Sequence, residues 1–256
     1  MQKAYSSDLT DAQWQLIKPV FADQRQYAEH SPRQIMNALF YLLKTGCQWR
    51  LLPKGFAPFK TVHYHFQRWI ESGRIERLCT RLRRAARVKA GREPSPSAAV
   101  IDSQSVPTAR QGGPRRGYDG GKNVKGRKRH VVVDTMGLLL GVLVCEAGPH
   151  DSQKAPHVLQ KMLGKVPRLK TIFADKGYEA TPDGLIWRCF GWLLEVVRRD
   201  EDVSGFDPIP KRWVVERTFG WFASWRRLGR DYECRPETSE AMIQIGMSRL
   251  MISRIR

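Results

Sequence analysis

Two short apolar segments of this chain each end in an aspartate. Residues 99–101 precede Asp102, and residues 172–174 precede Asp175. Apolar runs of this length predict strands of a sheet core, where a terminal carboxylate needs a hydrogen bond, an ion pair or a metal ion to offset its charge. One such aspartate often only caps or turns the chain. Two on neighbouring strands would meet at one sheet edge and repel each other unless a cation lay between them.

The pattern around these segments predicts an α/β fold. Strands are predicted at residues 98–106, 129–134, 138–145, 171–174 and 192–197. Helices are predicted at residues 151–163, 181–190, 211–228 and 237–252. The second and third strands should form a hairpin, because only a short turn with a glycine separates them. This order favours a mixed sheet flanked by helices.

The amino-terminal part of the chain predicts helices alone. Ser31 and Gln34 form a capping-box pattern that begins an amphipathic helix. Residues 74–92 contain eight Lys or Arg and one acid, which is either a solvated helix face or a surface for phosphates. Residues 93–97, with two prolines and two serines, predict a linker. We therefore expect a basic helical domain at residues 1–92, for DNA binding or assembly, and an α/β domain at residues 98–256.

The charge of the chain points to a polyanionic partner. The formal net charge is +19, from 44 Lys and Arg against 25 Asp and Glu. Nucleic acid is the first candidate. An anionic membrane is the second, but no 18-residue apolar run and no signal-peptide core is evident. The sequence therefore predicts a cytoplasmic protein with no membrane partner. The five cysteines are scattered, so neither disulfides nor zinc are predicted.

A third acid lies in the predicted helix at residues 211–228. Glu216 shares a face with Arg212 and Arg227, opposite the apolar side chains. It is either a surface glutamate paired with arginine or the partner of Asp102 and Asp175. Three carboxylates can hold two Mg²⁺ or Mn²⁺ ions and support phosphodiester cleavage or strand transfer. Asp134 is a rival ligand, although its place in a hairpin turn favours a turn role.

A basic, glycine-rich segment at residues 109–130 separates the first two predicted strands. It is either an exposed loop that only increases solubility or a loop that follows the DNA backbone. Glycine would permit close approach to the DNA, and the cations would neutralise its phosphates. If the loop follows DNA, its candidate DNA-binding residues are Arg115, Arg116, Lys122, Lys125, Arg127 and Lys128. The predicted helix of Glu216 adds Arg212 and Arg227.

With these motifs, nearly the whole chain resembles the DDE transposases of bacterial insertion sequences, which have a ribonuclease H-like catalytic domain. The resemblance is carried by the segments around Asp102 and Asp134, by Ala-Asp-Lys-Gly-Tyr at residues 174–178, and by Val-Glu-Arg-Thr-Phe at residues 215–219. The segment at residues 9–69 is similar to the small helical domain that precedes the catalytic domain in that family.

The resemblance implies both an activity and a site. Asp102, Asp175 and Glu216 would be the catalytic and metal-binding acids, with two divalent ions. The protein would cut double-stranded DNA at the element ends, join the freed 3′-hydroxyl to target DNA, act as a homodimer or higher oligomer on DNA, and associate with the nucleoid. A Tyr-Arg-Glu-Lys signature of relatives falls on Ile209, Arg212, Glu216 and Ala223. Only the Arg and Glu match, and Arg226 or Arg227 is the expected substitute for the lysine in positioning DNA, which adds Arg226 to the DNA-binding candidates.

Two other functions stay open from the sequence. A domesticated descendant could bind DNA without catalysis, and a nuclease could cut without joining. The three acids argue against the first alternative. A strand-transfer assay with precut ends separates the second from a transposase.

Overall fold

The protein divides into two compact units. In the computed structural model, residues 5–23, 29–110, 113–197 and 213–255 are described. The first unit comprises Met1–Arg92, Phe222–Arg230 and Glu237–Arg256. The second comprises Glu93–Trp221 and Asp231–Pro236.

This division differs from the predicted one at two places. Residues 93–97, expected as a linker, belong to the second unit, where the buried Ser95 accepts a hydrogen bond from Arg168 at 3.4 Å. Residues 222–230 and 237–256, expected in the α/β domain, belong to the helical unit. The helical unit is therefore built from both ends of the sequence.

The described residues form eight α-helices and six strands. The helices are α1 (Asp11–Ile17), α2 (Pro32–Thr45), α3 (Phe59–Glu71), α4 (Arg74–Lys89), α5 (Asp151–Gln160), α6 (Leu185–Phe190), α7 (Trp213–Ala223) and α8 (Pro236–Arg254). The strands are β1 (Ala98–Pro107), β2 (Gly117–Asp119), β3 (Val124–Asp134), β4 (Leu139–Glu146), β5 (Thr171–Ala174) and β6 (Leu193–Val196). None of the described helices is both long and apolar enough to cross a membrane.

Local sequence signals begin and end the helices of the first unit. Ser31 accepts a hydrogen bond from the Gln34 amide at 3.3 Å, and Gln34 Oε1 accepts one from the Ser31 amide at 2.8 Å. This confirms the predicted capping box of α2. Gly46 ends the helix with φ of 68°, a conformation that glycine adopts without strain.

Helix α8 completes the core of the first unit. Most of its side chains between Ala241 and Ile252 are buried. A Cβ added to Gly246 would lie 3.6 Å from Leu43 of α2, and the Arg249 guanidinium lies 5.4 Å from the centre of the Phe40 ring. Arg249 also donates a hydrogen bond to Gln13 of α1 at 3.2 Å. The first helices thus bury their apolar faces partly against the last one.

A mixed sheet forms the centre of the second unit, as predicted. Its order is β2-β3-β1-β5-β6, and β4 also pairs with β3. Pairing is antiparallel among β1, β2, β3 and β4, and parallel from β1 to β5 and from β5 to β6. Apolar side chains of the sheet pack with those of α5 and α6, which gives the ribonuclease H-like α/β fold expected from the sequence.

Two elements differ most from the predicted bounds. Strand β3 begins at Val124 rather than at residue 129, and it pairs with the short β2 inside the segment expected to be a loop. Helix α7 ends at Ala223 rather than continuing to residue 228, where a separate 3-10 turn, Arg226–Leu228, follows. Strand β5 has the bounds predicted for it.

Candidate active site

Strands β1 and β5 bring Asp102 and Asp175 to the same edge of the sheet. The two strands are parallel neighbours, and their register pairs Val100 with Phe173. Asp102 and Asp175 each lie two residues beyond that pair. Because parallel strands run in the same direction, both aspartates lie at the same distance along their strands from the paired residues. The hypothesis from the sequence required these two acids to lie on neighbouring strands, and they do.

Backbone amides hold both carboxylates locally. Asp102 Oδ1 accepts a hydrogen bond from the Ser103 amide at 2.6 Å. Asp175 Oδ1 accepts one from the Gly177 amide at 3.0 Å, which caps the 3-10 turn Lys176–Tyr178. Both side chains are partly exposed.

A further acid, Asp151, lies at this edge although the sequence singled it out only as part of a helix start. It is the first residue of α5, where its Oδ2 accepts a hydrogen bond from Ser103 Oγ at 2.8 Å. Its Oδ1 lies 2.9 Å from Lys128 Nζ of β3. Burial pushes the pKa of Asp151 upward, but the close ion pair with Lys128 and the hydrogen bond from Ser103 outweigh it and leave the pKa lowered.

Tyr178 and His130 form a buried layer next to these acids. His130 Nδ1 lies 3.3 Å from the Tyr178 hydroxyl, and both side chains are fully buried. Burial raises the pKa of Tyr178 well above its ordinary value, and the charges of Asp151, Asp102 and Asp175 raise it further. Burial also lowers the pKa of His130 to about 4, although the charge of Asp151 acts in the opposite direction. Both groups are neutral near pH 7.

Glu216 lies on the exposed side of α7, as the helical pattern predicted. The helix is fixed to the turn between β3 and β4, because Thr218 Oγ1 donates to the Gly137 carbonyl at 3.0 Å and Arg217 donates to the Met136 carbonyl at 3.1 Å. Among the described residues, no three His, Cys, Asp or Glu side chains are grouped as a metal site would require. The triad of Asp102, Asp175 and Glu216 stays a prediction.

The predicted DNA-binding cations fall into two groups. Arg115, Arg116, Lys122, Lys125 and Arg226 are exposed. Arg127, Lys128 and Arg227 are instead buried. Arg212 lies outside the described residues.

Each buried cation has protein partners, which corrects the expectation that it faces DNA. Arg127 donates to the Glu233 and Cys234 carbonyls at 2.7 Å each and lies 3.3 Å from Asp231. Lys128 pairs with Asp151 as described above. In the first unit, Arg227 donates to the Cys47 carbonyl at 2.9 Å. These three side chains join segments of the protein rather than forming part of its exposed surface.

The rival ligand Asp134 has the predicted turn role. It is fully buried, and its Oδ1 accepts hydrogen bonds from the Met136 and Leu138 amides at 2.8 and 2.9 Å. A carboxylate used in this way closes the turn between β3 and β4.

Comparison with known proteins decides the family. The family described as "Transposase DDE domain" matches residues 93–251, more than half of the chain. The chain belongs to the DDE transposase family. A second family, described as "Putative transposase of IS4/5 family", matches residues 9–79 of this DDE transposase. The family predicted from the motifs is confirmed.

Two proteins are similar in sequence to parts of this DDE transposase. "Putative transposase for insertion sequence element IS402" of Burkholderia cepacia is 30% identical over 158 residues, which cover 57% of this chain and 71% of that protein. "Uncharacterized protein y4sN" of Sinorhizobium fredii (strain NBRC 101917 / NGR234) is 28% identical over 81 residues, which cover 30% of this chain and 65% of that protein.

The donor atoms at the sheet edge suit a hard divalent cation. Asp102 and Asp175 supply carboxylate oxygens, the ligands that Mg²⁺ and Mn²⁺ prefer. The nearby acid Asp151 is already matched by Lys128. At this edge of the DDE transposase, the residues present therefore fit a divalent cation, with Asp102 and Asp175 as the candidate ligands.

Proposed function

We propose that this protein is an insertion-sequence transposase that cuts DNA at the ends of its own element and joins the freed 3′-hydroxyl to target DNA. Asp102, Asp175 and Glu216 are the catalytic acids and hold two divalent ions, Mg²⁺ or Mn²⁺. The observation that carries the proposal is the parallel pairing of β1 with β5, which brings Asp102 and Asp175 to one edge of a DDE transposase domain. Its substrate is double-stranded DNA, and pairing of two element ends requires at least a dimer.

The residues of the chain have separate tasks in this reaction. When bound, divalent ions lower the pKa of an attacking water or hydroxyl and stabilise charge on the leaving oxygen. Asp102 and Asp175, fixed by the Ser103 and Gly177 amides, supply negative charge at a set position. Glu216 supplies a third carboxylate from α7. His130 is neutral and buried away from solvent, so the proposal assigns the reaction to the three acids and the ions they would hold, and no proton transfer to its imidazole.

Exposed cations of the second unit hold the DNA backbone in this proposal. Arg115, Arg116, Lys122 and Lys125 lie on or next to the hairpin of β2 and β3. Lys122 Nζ lies 3.4 Å from the Ser103 carbonyl, one residue from Asp102. A phosphate held by this hairpin would therefore lie near the candidate acids.

Isosteric neutralisation of the acids tests the proposed chemistry. Asp102→Asn, Asp175→Asn and Glu216→Gln should each abolish Mg²⁺-dependent cleavage of DNA that carries the element ends, because each removes a charged ligand. Binding of the same DNA, measured by gel shift in Ca²⁺ or EDTA, should be retained. Full cleavage by any one variant contradicts the triad.

A matched acid controls for general charge effects. Glu179→Gln removes a carboxylate close in sequence to Asp175, on an exposed side chain beyond the capped turn, and should leave cleavage unchanged. Joining is measured separately with precut ends. Cleavage without joining would reassign the protein as a nuclease, and DNA binding without cleavage by the unaltered protein would reassign it as a domesticated binding protein.

A further inference from the structure

One partly buried network, formed by Ser103, Asp151 and Lys128, links the two candidate metal-binding strands. We infer that Asp151 is a positioning residue, held by Lys128, that sets the relative placement of Asp102 and Asp175. This inference rests on the proposed function, because it concerns the same site. Its contacts are independent of any metal ion.

The first link joins Asp151 to the strand of Asp102. Ser103 is buried, and its Oγ donates to Asp151 Oδ2 at 2.8 Å while its amide donates to Asp102 at 2.6 Å. One residue thus contacts both carboxylates through different groups. A shift of Asp151 moves Ser103 and, with it, the backbone amide that orients Asp102.

The second link joins Asp151 to the turn of Asp175. A Cβ built on Gly177 would lie 3.0 Å from Asp175 Oδ1 and 3.2 Å from Asp151 Oδ2. Both carboxylates therefore border the same small space, which a methyl group would overfill. Glycine at this position allows the α5 acid to approach the capped turn.

Lys128 makes this approach of carboxylates tolerable. Asp151 and Asp175 would repel each other, and repulsion would push the turn away from α5. The ammonium of Lys128, itself buried, lies 2.9 Å from Asp151 Oδ1 and donates to the Pro149 carbonyl at 3.0 Å. Asp151 is thereby neutralised from the side opposite Ser103, which leaves Asp102 and Asp175 as the negative charges of the edge.

The same strand offers a matched comparison. Two residues along β1 from Ser103, Ser105 Oγ donates to Asp119 Oδ2 of β2. This is also a serine–aspartate pair, and Lys128 Nζ lies 3.8 Å from Asp119 Oδ2. Asp119 is the last residue of β2, and the three atoms nearest to a Cβ built on Gly177 belong to Asp175 and Asp151 instead. Loss of that pair removes the same kind of hydrogen bond without touching the turn of Asp175.

The test compares Ser103→Ala, Asp151→Asn and Gly177→Ala with the control Ser105→Ala in the full chain. Mn²⁺ affinity of the DNA-free protein is measured by electron paramagnetic resonance, and cleavage by kcat and KM on end DNA. Loss of a group that orients a metal ligand typically costs about 10- to 100-fold in metal affinity or activity. We expect that loss in Mn²⁺ affinity and kcat for the three variants, an unchanged KM for DNA, and values like those of the unaltered protein for Ser105→Ala.

Three outcomes overturn the inference. The first is unaltered Mn²⁺ affinity in both Ser103→Ala and Asp151→Asn while Asp102→Asn has lost it, which leaves the proposed function intact. The second is an equal loss in Ser105→Ala, which assigns the effect to general packing. The third is normal Mn²⁺ binding and cleavage by Asp102→Asn, which removes the proposed function as well. Should Asp151→Asn fail to fold by circular dichroism, Ser103→Ala and Gly177→Ala decide the question.

Discussion

His130 shows how burial controls the charge of a residue beside the candidate active site. Its imidazole has no exposed surface, and its pKa is lowered to about 4, chiefly by burial. In an unfolded chain the pKa of histidine is about 6.5. The folded protein therefore binds this proton less readily than the unfolded chain does, and acid should favour unfolding.

The stability of the metal-free protein should depend on pH through this residue. The contribution of His130 is complete above pH about 6.5 and is lost as the pH falls from there toward 4, by about 3 kcal/mol in all. Urea unfolding at pH 7 and pH 4.5 measures the difference. His130→Gln should remove most of it.

Other groups provide a background for that measurement. Burial also lowers the pKa of His63 and His65. Their effect on stability has the same sign as that of His130, and it is present in both the unaltered protein and His130→Gln. Asp151, whose pKa is lowered below 3.8, acts only at more acidic pH. An equal pH dependence in His130→Gln and the unaltered protein would contradict the assignment.

Single residues at the candidate site differed in how well the sequence predicted them. Asp102 and Asp175 could be placed on one edge because each ends a short apolar run of the sequence. Asp151 could not, since an aspartate at a helix start ordinarily stabilises the helix and its partners Ser103 and Lys128 lie 48 and 23 positions earlier along the chain. Only the folded sheet brings them together.

At the scale of elements, the hairpin of β2 and β3 departs most from the predicted structure. Its strand β3 contains Arg127, Lys128, Arg129 and His130, all buried. Judged from sequence neighbours alone, a run of cations predicts a solvated loop. The strand forms because distant groups, such as Asp231 and the Glu233 carbonyl for Arg127, receive these charges.

The exposed cations of the same hairpin should determine part of the salt dependence of DNA binding. Each phosphate contact contributes about 0.9 to the slope of log affinity against log salt concentration. The double variant Lys122→Gln/Lys125→Gln should therefore lower the slope by roughly 2 if both lysines contact phosphates. Fluorescence anisotropy over a range of NaCl concentrations measures it.

Lys170 provides the matched control for this experiment. It is exposed and precedes β5, so it lies at the opposite end of that strand from Asp175. Lys170→Gln should leave the slope nearly unchanged. A slope that falls equally in the control would mean that overall charge, and not the hairpin, determines binding.

The two units differ in how the chain builds them. The α/β unit is one long segment with the short addition of Asp231–Pro236, whereas the helical unit is built from three separate segments. The helical unit needs residues 222–230 and 237–256 in addition to its first 92 residues. The sequence suggested a division after residue 92 because the composition changes there. It gave no sign that α8 packs with α1 and α2, since an apolar helix pattern does not identify its partner.

Residues 1–92 should not form a stable domain alone. Without α8, the side chains of Phe40 and Leu43 lose neighbours in the core, and large exposed apolar surface is costly. We expect poor dispersion in the amide NMR spectrum and no cooperative thermal transition. Residues 1–92 joined by a Gly-Ser linker to residues 222–255 should recover both. Cooperative unfolding of residues 1–92 alone would show that the last helix is dispensable.

The return of α8 to the first helices has a consequence for synthesis on the ribosome. Domains generally fold as they emerge, from the amino terminus onward. Here the first helices emerge early yet lack their last core element until residues 237–254 have been translated. The sheet that carries Asp102 and Asp175 emerges in between. The part of the protein made first is thus the part completed last, and a premature stop within α8 would leave the nascent helices exposed to proteases.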